Sequence, residues 1–340
     1  MEAIECKGKF VEGNKIFILD DSFKDLELKD NEEKIPFTRM VFEKFLELDK
    51  FTRLTIVLTL LVVTVTPLIL GLNIVLNSKA AIVAFGSRPA SGAISLSNCS
   101  NVVIENKTFK DLGAGVIAIR IENCTNVTIS SVDFINVAEG VYALNSSNIR
   151  IIDSRYSNIT GPAQPRTGAN VANFVQFNNV AGGLIARNKG KGGDTEDIVS
   201  IYKSSYVTVE DNHFEGTNWT SASGSGIALG DDGGTGNIAR RNILVNPGQV
   251  GIFIAGGVNH QIVDNIIIGQ QRTNSNVGVY VWNQYASACS GNTVSGNRVL
   301  WRRADGLLNP YWNAGNCGTV ASSANAWIAP LDLALHRVVL

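Results

Sequence analysis

The amino-acid sequence predicts an all-β fold, a right-handed parallel β-helix that forms a single-stranded solenoid of about eight coils and is preceded by one transmembrane helix. Three observations support this: segments that repeat every 22–34 residues, a short alternating strand before each copy, and an uncharged apolar run ahead of the repeats. They divide the 340 residues into a leader at 1–53, a transmembrane helix at 54–76, a linker at 77–90, the β-helix at 91–318 and a C-terminal cap or tail at 319–340.

The repeat is clearest in two segments that begin at Ser97 and Glu122. They read SNCSNVVIENKTF and ENCTNVTISSVDF, and Cys99 aligns with Cys124 over a period of 25 residues. No copy contains an amphipathic helix, which excludes the helical solenoids. Stacked copies whose strands pair in parallel bury one continuous core, as in a parallel β-helix. Further copies begin at Leu144, Tyr202, Ile254 and Val281.

Each copy follows a short strand in which one face is apolar. Successive side chains of a strand point to opposite faces, so residues two apart share a face. The strand that begins at Gly115 and its equivalents keep one face apolar in every copy, and we assign that face to the core. The assigned core residues are Ile119, Ile121, Val141, Ala143, Val175, Phe177, Val199, Ile201, Ile227, Leu229, Ile252, Ile254, Val279 and Val281.

A column of asparagines follows the second strand in successive copies. Asn tolerates the left-handed backbone of a tight corner, and stacked amides can hydrogen bond along the solenoid axis. We therefore predict a ladder of amides at one corner. The column comprises Asn188, Asn212, Asn242, Asn265 and Asn297.

The uncharged apolar run covers residues 54–76. About twenty apolar residues can cross the hydrocarbon layer as a helix. Basic residues precede the run and few follow it, which predicts a single-pass membrane protein with a cytoplasmic leader and an extracytoplasmic β-helix. A buried core helix or strand is the alternative. The leader contains patches that could be helical, such as residues 37–48.

Charge and cysteine content exclude some classes of protein. A net charge of −1 offers no basic face for phosphates, so no nucleic-acid partner is expected. The five cysteines are too few for a disulfide scaffold. The expected topology nevertheless favours a disulfide between Cys289 and Cys317, which both lie in polar turns. Cys99 and Cys124, one coil apart, are within disulfide range, and stacked free thiols fit equally well.

The longer copies carry insertions at one corner, at about residues 161–172, 190–196, 215–225 and 269–276. Repeat proteins concentrate insertions on one face, often the binding face. The repeat pattern over residues 85–318 resembles the right-handed β-helix, or pectate-lyase-like, superfamily. This resemblance implies a connection with carbohydrate, as an expectation drawn from the fold.

An acidic cluster lies in the insertion before one strand and at the end of the next equivalent strand. Its segment GDTEDIVSIYKS resembles the GDDCIAIKSG element of polygalacturonase-like hydrolases, in which paired carboxylates act as acid and base. Thr-Glu-Asp departs from that element, and the family's Gly-His-Gly is absent. Stacking predicts that Lys203 and Asp231 are neighbours on coils five and six. The candidate catalytic residues are Asp194, Glu196, Asp197, Lys203, Asp231 and Asp232.

Such crowded carboxylates are compatible with several kinds of site. They allow a glycosidase mechanism or a Ca²⁺ site, and Ca²⁺ is the only cofactor that the sequence suggests. A lyase or epimerase acting on a uronate would instead need a base near C5 and a cation for the carboxylate, for which Lys203, Arg187 and Arg240 are candidates. Charged residues that only cap turns and solvate loops are the alternative reading.

The outward neighbours of the core residues, with Ser200 and Phe253 among them, form a stripe of aromatic and polar side chains. Aromatic faces suit sugar rings because they offer flat amphipathic area at low entropic cost. A loop or the chain's tail packed over the sheet would also explain these residues. The candidate substrate-binding residues are Arg120, Tyr142, Gln176, Tyr202, Tyr280 and Trp282.

The sequence thus favours a membrane-anchored extracytoplasmic β-helix protein that binds polysaccharide, with cleavage by a lyase or glycoside hydrolase, or epimerisation, as the expected chemistry if it is an enzyme. A non-catalytic scaffold or adhesin is the alternative. An acidic cluster that converges with Lys203 in an aromatic-lined cleft would favour the first, and a flat, charge-scattered face the second. His213 and His260 lack metal-ligand spacing, and we interpret both as structural.

Overall fold

The computed structural model describes residues 9–12, 15–18, 85–161, 164–166, 169–216 and 224–328. The chain divides into two compact units, Met1–Ala81 and Ile82–Leu340. In the first unit, strands Lys9–Glu12 and Lys15–Ile18 pair antiparallel. The second unit contains three parallel sheets, each built from one strand per coil, and this is the predicted parallel β-helix.

The first sheet carries the candidate site and has nine strands among the described residues. In stacking order they are Ile94–Ser97, Ile117–Glu122, Glu139–Leu144, Asn173–Asn178, Asp197–Tyr202, Ser225–Asp231, Val250–Ile254, Val277–Val281 and Tyr311–Asn313. We number the coils one to nine by these strands.

The second and third sheets complete each coil, and a few short strands lie outside the three sheets. The second sheet consists of Ser100–Glu105, Thr125–Ser130, Ser147–Ile152, Ala181–Ala186, Ser205–Glu210, Ile238–Arg240, Gln261–Val263, Thr293–Ser295 and Ala321–Ser323. The third sheet consists of Ala90–Ser91, Thr108–Lys110, Asp133–Val137, Arg155–Ile159, Lys189–Gly193, His213–Glu215, Ile243–Val245, Ile266–Gly269, Arg298–Trp301 and Ala326–Trp327. The short strands are the antiparallel pair Gln164–Arg166 and Ala169–Val171 and the parallel pair Gly257–Val258 and Cys289–Ser290.

The core runs along the solenoid axis. All fourteen side chains that the alternation assigned to the core are fully buried. Their positions stack in register, as in Val141 on Val175 and Val175 on Val199. Aromatic rings from the third sheet fill the adjoining volume, and Phe109 stacks on Phe134 with centroids 5.5 Å apart. The period-two pattern therefore predicted both the register and the inside of the solenoid.

The asparagine column forms the predicted ladder. Asn242 accepts hydrogen bonds from the backbone and side-chain amides of Asn212, at 3.1 and 2.9 Å, and donates to the carbonyl of Val209 at 2.9 Å. The left-handed backbone is not at these residues, however. Positive φ angles occur one position earlier, as in Arg241, so the prediction of their conformation was wrong. The ladder uses Asn because its amide both donates and accepts along the axis.

The insertions lie at the predicted common corner. Each falls between a strand of the third sheet and the following strand of the first sheet, as in Ile266–Gly269 and Val277–Val281. Only residues 194–196 of the expected insertion at 190–196 lie outside strands, because Lys189–Gly193 pairs within the third sheet.

The stack extends beyond residue 318, where the sequence suggested a cap or tail. Strands Ala321–Ser323 and Ala326–Trp327 pair with the second and third sheets, and Asn325 continues the amide ladder by accepting from the backbone of Asn297 at 3.0 Å. These strands are exposed and lack the apolar alternation of the earlier coils, which is why the pattern did not reveal them.

The expected transmembrane helix at 54–76 and the expected helical patch at 37–48 lie outside the described residues. Within the described ranges, no helix is long and apolar enough to span a bilayer. The described regular structure of the expected cytoplasmic leader is the antiparallel pair of strands Lys9–Glu12 and Lys15–Ile18.

Two disulfides bridge adjacent coils. Cys289 and Cys317 are bonded, with Cα atoms 4.5 Å apart, and this confirms the predicted pair. Cys99 and Cys124 are also bonded, with Cα atoms 4.6 Å apart, which is the spacing expected of neighbouring coils. Of the two alternatives for this second pair, the structure has the disulfide.

Candidate functional site

A cleft of about 670 Å³ crosses the outer face of the first sheet on coils five to nine. One end lies at the starts of successive strands and includes Asp197 and Ser225. The other end includes Asp231, the last residue of its strand, and Tyr285, which follows a strand. The cleft thus adjoins the corner that carries the insertions. Its described lining is Glu196, Asp197, Gly224, Ser225, Asp231, Gln249, Val250, Phe253, Asn276, Val277, Tyr280, Trp282, Gln284, Tyr285, Arg303, Asn309 and Trp312.

Asp197 is a carboxyl group of the cleft whose pKa is strongly perturbed. It begins strand Asp197–Tyr202, is buried, and accepts a hydrogen bond from the hydroxyl of Ser225, its register partner on the next coil. Burial raises the pKa of Asp197 well above its ordinary value, and the negative charges of Glu196 and Asp231 raise it further. A carboxyl group that keeps its proton in this way can act as a proton donor.

Asp231 lies at the other end of the strands, on the same sheet as Asp197. It is opposite Tyr202, so the backbones of Asp197 and Asp231 are separated by about 16 Å along the strand direction. The hydroxyl of Tyr285 donates a 2.5 Å hydrogen bond to Asp231. Burial raises the pKa of Tyr285, and this hydrogen bond raises it further, so the phenol stays protonated and holds the carboxylate in place.

Aromatic rings form the floor of the cleft between these two ends. Phe253, Tyr280 and Trp312 stack in one register column of the first sheet, and the Phe253 and Tyr280 rings are 4.8 Å apart and nearly parallel. Trp282 packs edge-on against Trp312 at 5.8 Å. The side chains of Trp282 and Trp312 are 41% and 45% exposed, so flat apolar area remains open to a ligand.

The structure brings together three of the six candidate catalytic residues. Glu196, Asp197 and Asp231 line the cleft. Asp194 is exposed in the turn before them. Lys203 and Asp232 lie beside the cleft and pair with each other at 2.9 Å.

Lys203 and Asp231 are neighbours, as predicted, but they meet through their backbones. A register shift between coils five and six places Tyr202 opposite Asp231, and the backbone amide of Lys203 donates to the carbonyl of Asp231 at 2.8 Å. The extra residue of this irregularity lies at Leu229 and Gly230, and the repeat pattern did not reveal it. The side chain of Lys203 therefore faces Asp232 instead.

Four of the six candidate substrate-binding residues lie in one continuous column, but part of this column is not exposed as expected. The column runs from Arg120 through Tyr142, Gln176 and Ser200 to Phe253 and Tyr280. Tyr142 and Gln176 are buried. Strand alternation sets the direction of a side chain, but it does not show what packs over the sheet.

The remaining members of that set are divided between the cleft and its surroundings. Tyr280 and Trp282 line the cleft. Arg120 lies outside it, over the ring of Tyr142 at 5.4 Å and paired with Glu122. Tyr202 is beside the cleft and donates a 3.1 Å hydrogen bond to Asp232.

The two arginines suggested to neutralise a uronate carboxylate do not line the cleft. Arg187 pairs with Asp153 at 2.8 Å and Arg240 with Glu210 at 2.7 Å, and both pairs belong to the second sheet and its turns. In the described part of the chain, no group of three His, Cys, Asp or Glu side chains is arranged to hold a metal ion.

Several lining residues were not anticipated from the sequence. Trp312 belongs to a three-residue strand that lacks a clear repeat, although its spacing of 32 residues from Tyr280 fits the repeat period and was an available signal. Tyr285 and Arg303 lie outside strands, and periodicity carries no information about their direction.

The three stacked sheets and the lateral cleft define a parallel β-helix with a candidate ligand site on one face. The family model of the right handed beta helix region matches residues 92–299, and the chain belongs to this family. The predicted parallel β-helix is therefore confirmed, including its hand. A comparison with curated protein sequences finds no match.

Solved structures of other proteins are similar to part of this chain at low sequence identity. DFA-IIIase from Arthrobacter chlorophenolicus A6, in complex with GF2, is 15% identical with a TM-score of 0.46, over 64% of this chain and 53% of that one. The periplasmic alginate epimerase AlgG is 14% identical with a TM-score of 0.40, over 67% and 60%. The Streptococcus pneumoniae surface protein and adhesin PfbA is 13% identical with a TM-score of 0.36, over 70% and 79%. The chain spans between half and three-fifths of the first two structures.

Proposed function

We propose that the protein binds polysaccharide in the cleft across coils five to nine. The observation that carries this proposal is the row of aromatic rings, with Trp282 and Trp312 exposed, between two groups of carboxylates. Sugar rings bind to such surfaces through their apolar faces, while their hydroxyl groups need polar partners at the edges. The amides of Gln249, Asn276 and Gln284 line the cleft and offer such partners.

We further propose that the bound polysaccharide is hydrolysed. Asp197 supplies the protonated carboxyl group and gives its proton to the oxygen of the leaving sugar, as glycosidase acids do. Glu196, whose negative charge raises the pKa of Asp197, supplies the ionised carboxylate for water activation or for stabilising the developing positive charge. Ser225 holds the Asp197 carboxyl group in position.

The test is to screen the full chain against a panel of polysaccharides for binding and for products. New reducing ends without unsaturated uronates are expected for hydrolysis. Unsaturated uronates would indicate a lyase, and a changed sugar composition without cleavage would indicate an epimerase. Binding without any product would refute the catalytic part and favour the non-catalytic scaffold or adhesin. No binding to any polymer would refute the whole proposal.

We also propose that the β-helix is extracytoplasmic and anchored by the apolar run at 54–76. Two disulfides support an oxidising compartment, where such bonds form and persist. Alkaline carbonate extraction should leave the protein in the membrane pellet. Release into the supernatant would contradict the anchor. Free Cys289 and Cys317 in unreduced protein would contradict the compartment.

A further inference from the structure

The charges that line the cleft are strongly unequal. Among the described lining residues, Glu196, Asp197 and Asp231 are acidic and only Arg303 is basic. The guanidinium group of Arg303 is already paired with the carboxylate of Asp305. Because Asp197 keeps its proton, Glu196 and Asp231 are the source of negative charge in the described lining.

The three cations that the sequence suggested for a uronate carboxylate are also paired with carboxylates. Lys203 is neutralised by Asp232 at 2.9 Å and is not among the lining residues. Arg187 and Arg240, which could have bound a uronate carboxylate, are in ion pairs on the second sheet and its turns. None of the three supplies the cation that a sugar carboxylate would need inside the cleft.

We infer that the polysaccharide of this cleft is uncharged, and that the cleft selects against polyuronates. This inference rests on the proposed function and narrows it to a substrate class. Neutral sugars present hydroxyl groups and apolar ring faces, which match the amides and aromatic rings of the lining. A polyuronate carries a carboxylate on each sugar, and like charges placed side by side in a partly desolvated cleft repel each other.

The experiment compares one polymer in two charge states. The full chain is first run by affinity electrophoresis through gels that contain neutral glucans, xylans, mannans and fructans, or polygalacturonate and alginate. The neutral polymer that retards the protein most is then compared with its own carboxymethyl derivative. At low ionic strength the derivative should bind about tenfold or more weakly, and added salt should narrow the difference because it screens the repulsion.

Matched variants assign the effect to the cleft. The double variant Glu196→Gln with Asp231→Asn removes two negative charges and keeps the side-chain shapes, so the carboxymethyl derivative should lose less of its affinity. Glu105→Gln removes one charge from an exposed position on the second sheet and should leave the wild-type difference unchanged.

The failures of the two proposals can be distinguished. If polyuronates or the carboxymethyl derivative bind as tightly as the neutral polymer, the charge inference is overturned and polysaccharide binding stands. If no polymer retards the protein, polysaccharide binding itself is refuted, and the inference is refuted with it.

Discussion

The carboxyl group of Asp197 is paired with the hydroxyl group of Ser225, its register partner on the next coil, in a buried position beside the cleft. A neutral hydroxyl stabilises a carboxylate much less than a cation would, and the neighbouring charges of Glu196 and Asp231 are negative. This arrangement is costly for stability whenever Asp197 is ionised. It is typical of a carboxyl group whose protonation has a function.

Asp197→Asn is therefore expected to increase the stability of the protein. The folded-state pKa of Asp197 is raised, so above pH 3.8 the unfolded chain releases a proton that the folded chain retains. This makes stability fall as pH rises from 3.8 towards the folded-state pKa. The variant lacks this loss, and chemical denaturation at several pH values should show its advantage growing with pH.

The same substitution should abolish hydrolysis, because an amide has no acidic proton to give. Ser225→Ala serves as a control, since it removes the hydrogen bond and keeps the carboxyl group. An Asp197→Asn protein that loses stability with rising pH as steeply as the wild type would contradict the raised pKa. Undiminished turnover would place the acid elsewhere.

His260 should make the protein less stable at mildly acidic pH. It is buried in a polar column, where its Nδ1 atom accepts the backbone hydrogen bond of Asn237 at 3.0 Å. Burial lowers the pKa of His260 from 6.5 to about 4. Between these values the unfolded chain binds a proton that the folded chain excludes, so stability should fall by about 3 kcal/mol as pH drops through this range.

His260→Asn should reduce this slope, because Asn occupies the equivalent positions 237 and 292 of the same column. Urea denaturation between pH 7 and 4 measures it. His213→Asn is the matched control, since His213 is half-buried on the third sheet beside Glu215. Equal slopes in the wild type and His260→Asn would show that His260 does not carry the pH dependence.

The asparagine ladder should contribute strongly to stability. Asn242→Ala removes an acceptor from two amides of Asn212 and a donor from the carbonyl of Val209, all in a buried setting. Leaving buried polar groups unsatisfied costs about 1–3 kcal/mol each, so a loss of about 3 kcal/mol or more is expected. Thermal and urea denaturation should detect it.

Asn148→Gly is the matched control for the ladder. Asn148 donates to Asn126 on an exposed corner and has a positive φ that glycine adopts readily. We expect this variant to lose well under 1 kcal/mol. Equal losses in the two variants would mean that the buried ladder has no special energetic role.

Sequence alone could predict the solenoid because its signals are local and repeated. Strand alternation identified core residues such as Val175 and Val199, and the asparagine column identified a corner. The disulfide between Cys289 and Cys317 followed from polar turns and the expected compartment.

The candidate site was only partly predictable, for three physical reasons. A single-residue register shift places Tyr202 opposite Asp231, and the side chain of Lys203 pairs with Asp232. Periodicity does not reveal such shifts. Tyr285 lies in a loop, whose direction depends on tertiary contacts with residues two coils away. Tyr142 points outward and is buried nevertheless. Its burial was not predictable, because strand alternation does not show what covers a sheet.

The most direct test of polysaccharide binding in this cleft is the affinity of the double variant Trp282→Ala with Trp312→Ala. The ligand is the polymer that the wild type binds best. Loss of these two partly exposed rings from the cleft should weaken binding about tenfold or more in a variant that still folds. Tyr206→Ala removes a 67% exposed ring that does not line the cleft and should bind like the wild type. A folded double variant with undiminished affinity would contradict the claim that this cleft is the polysaccharide-binding site.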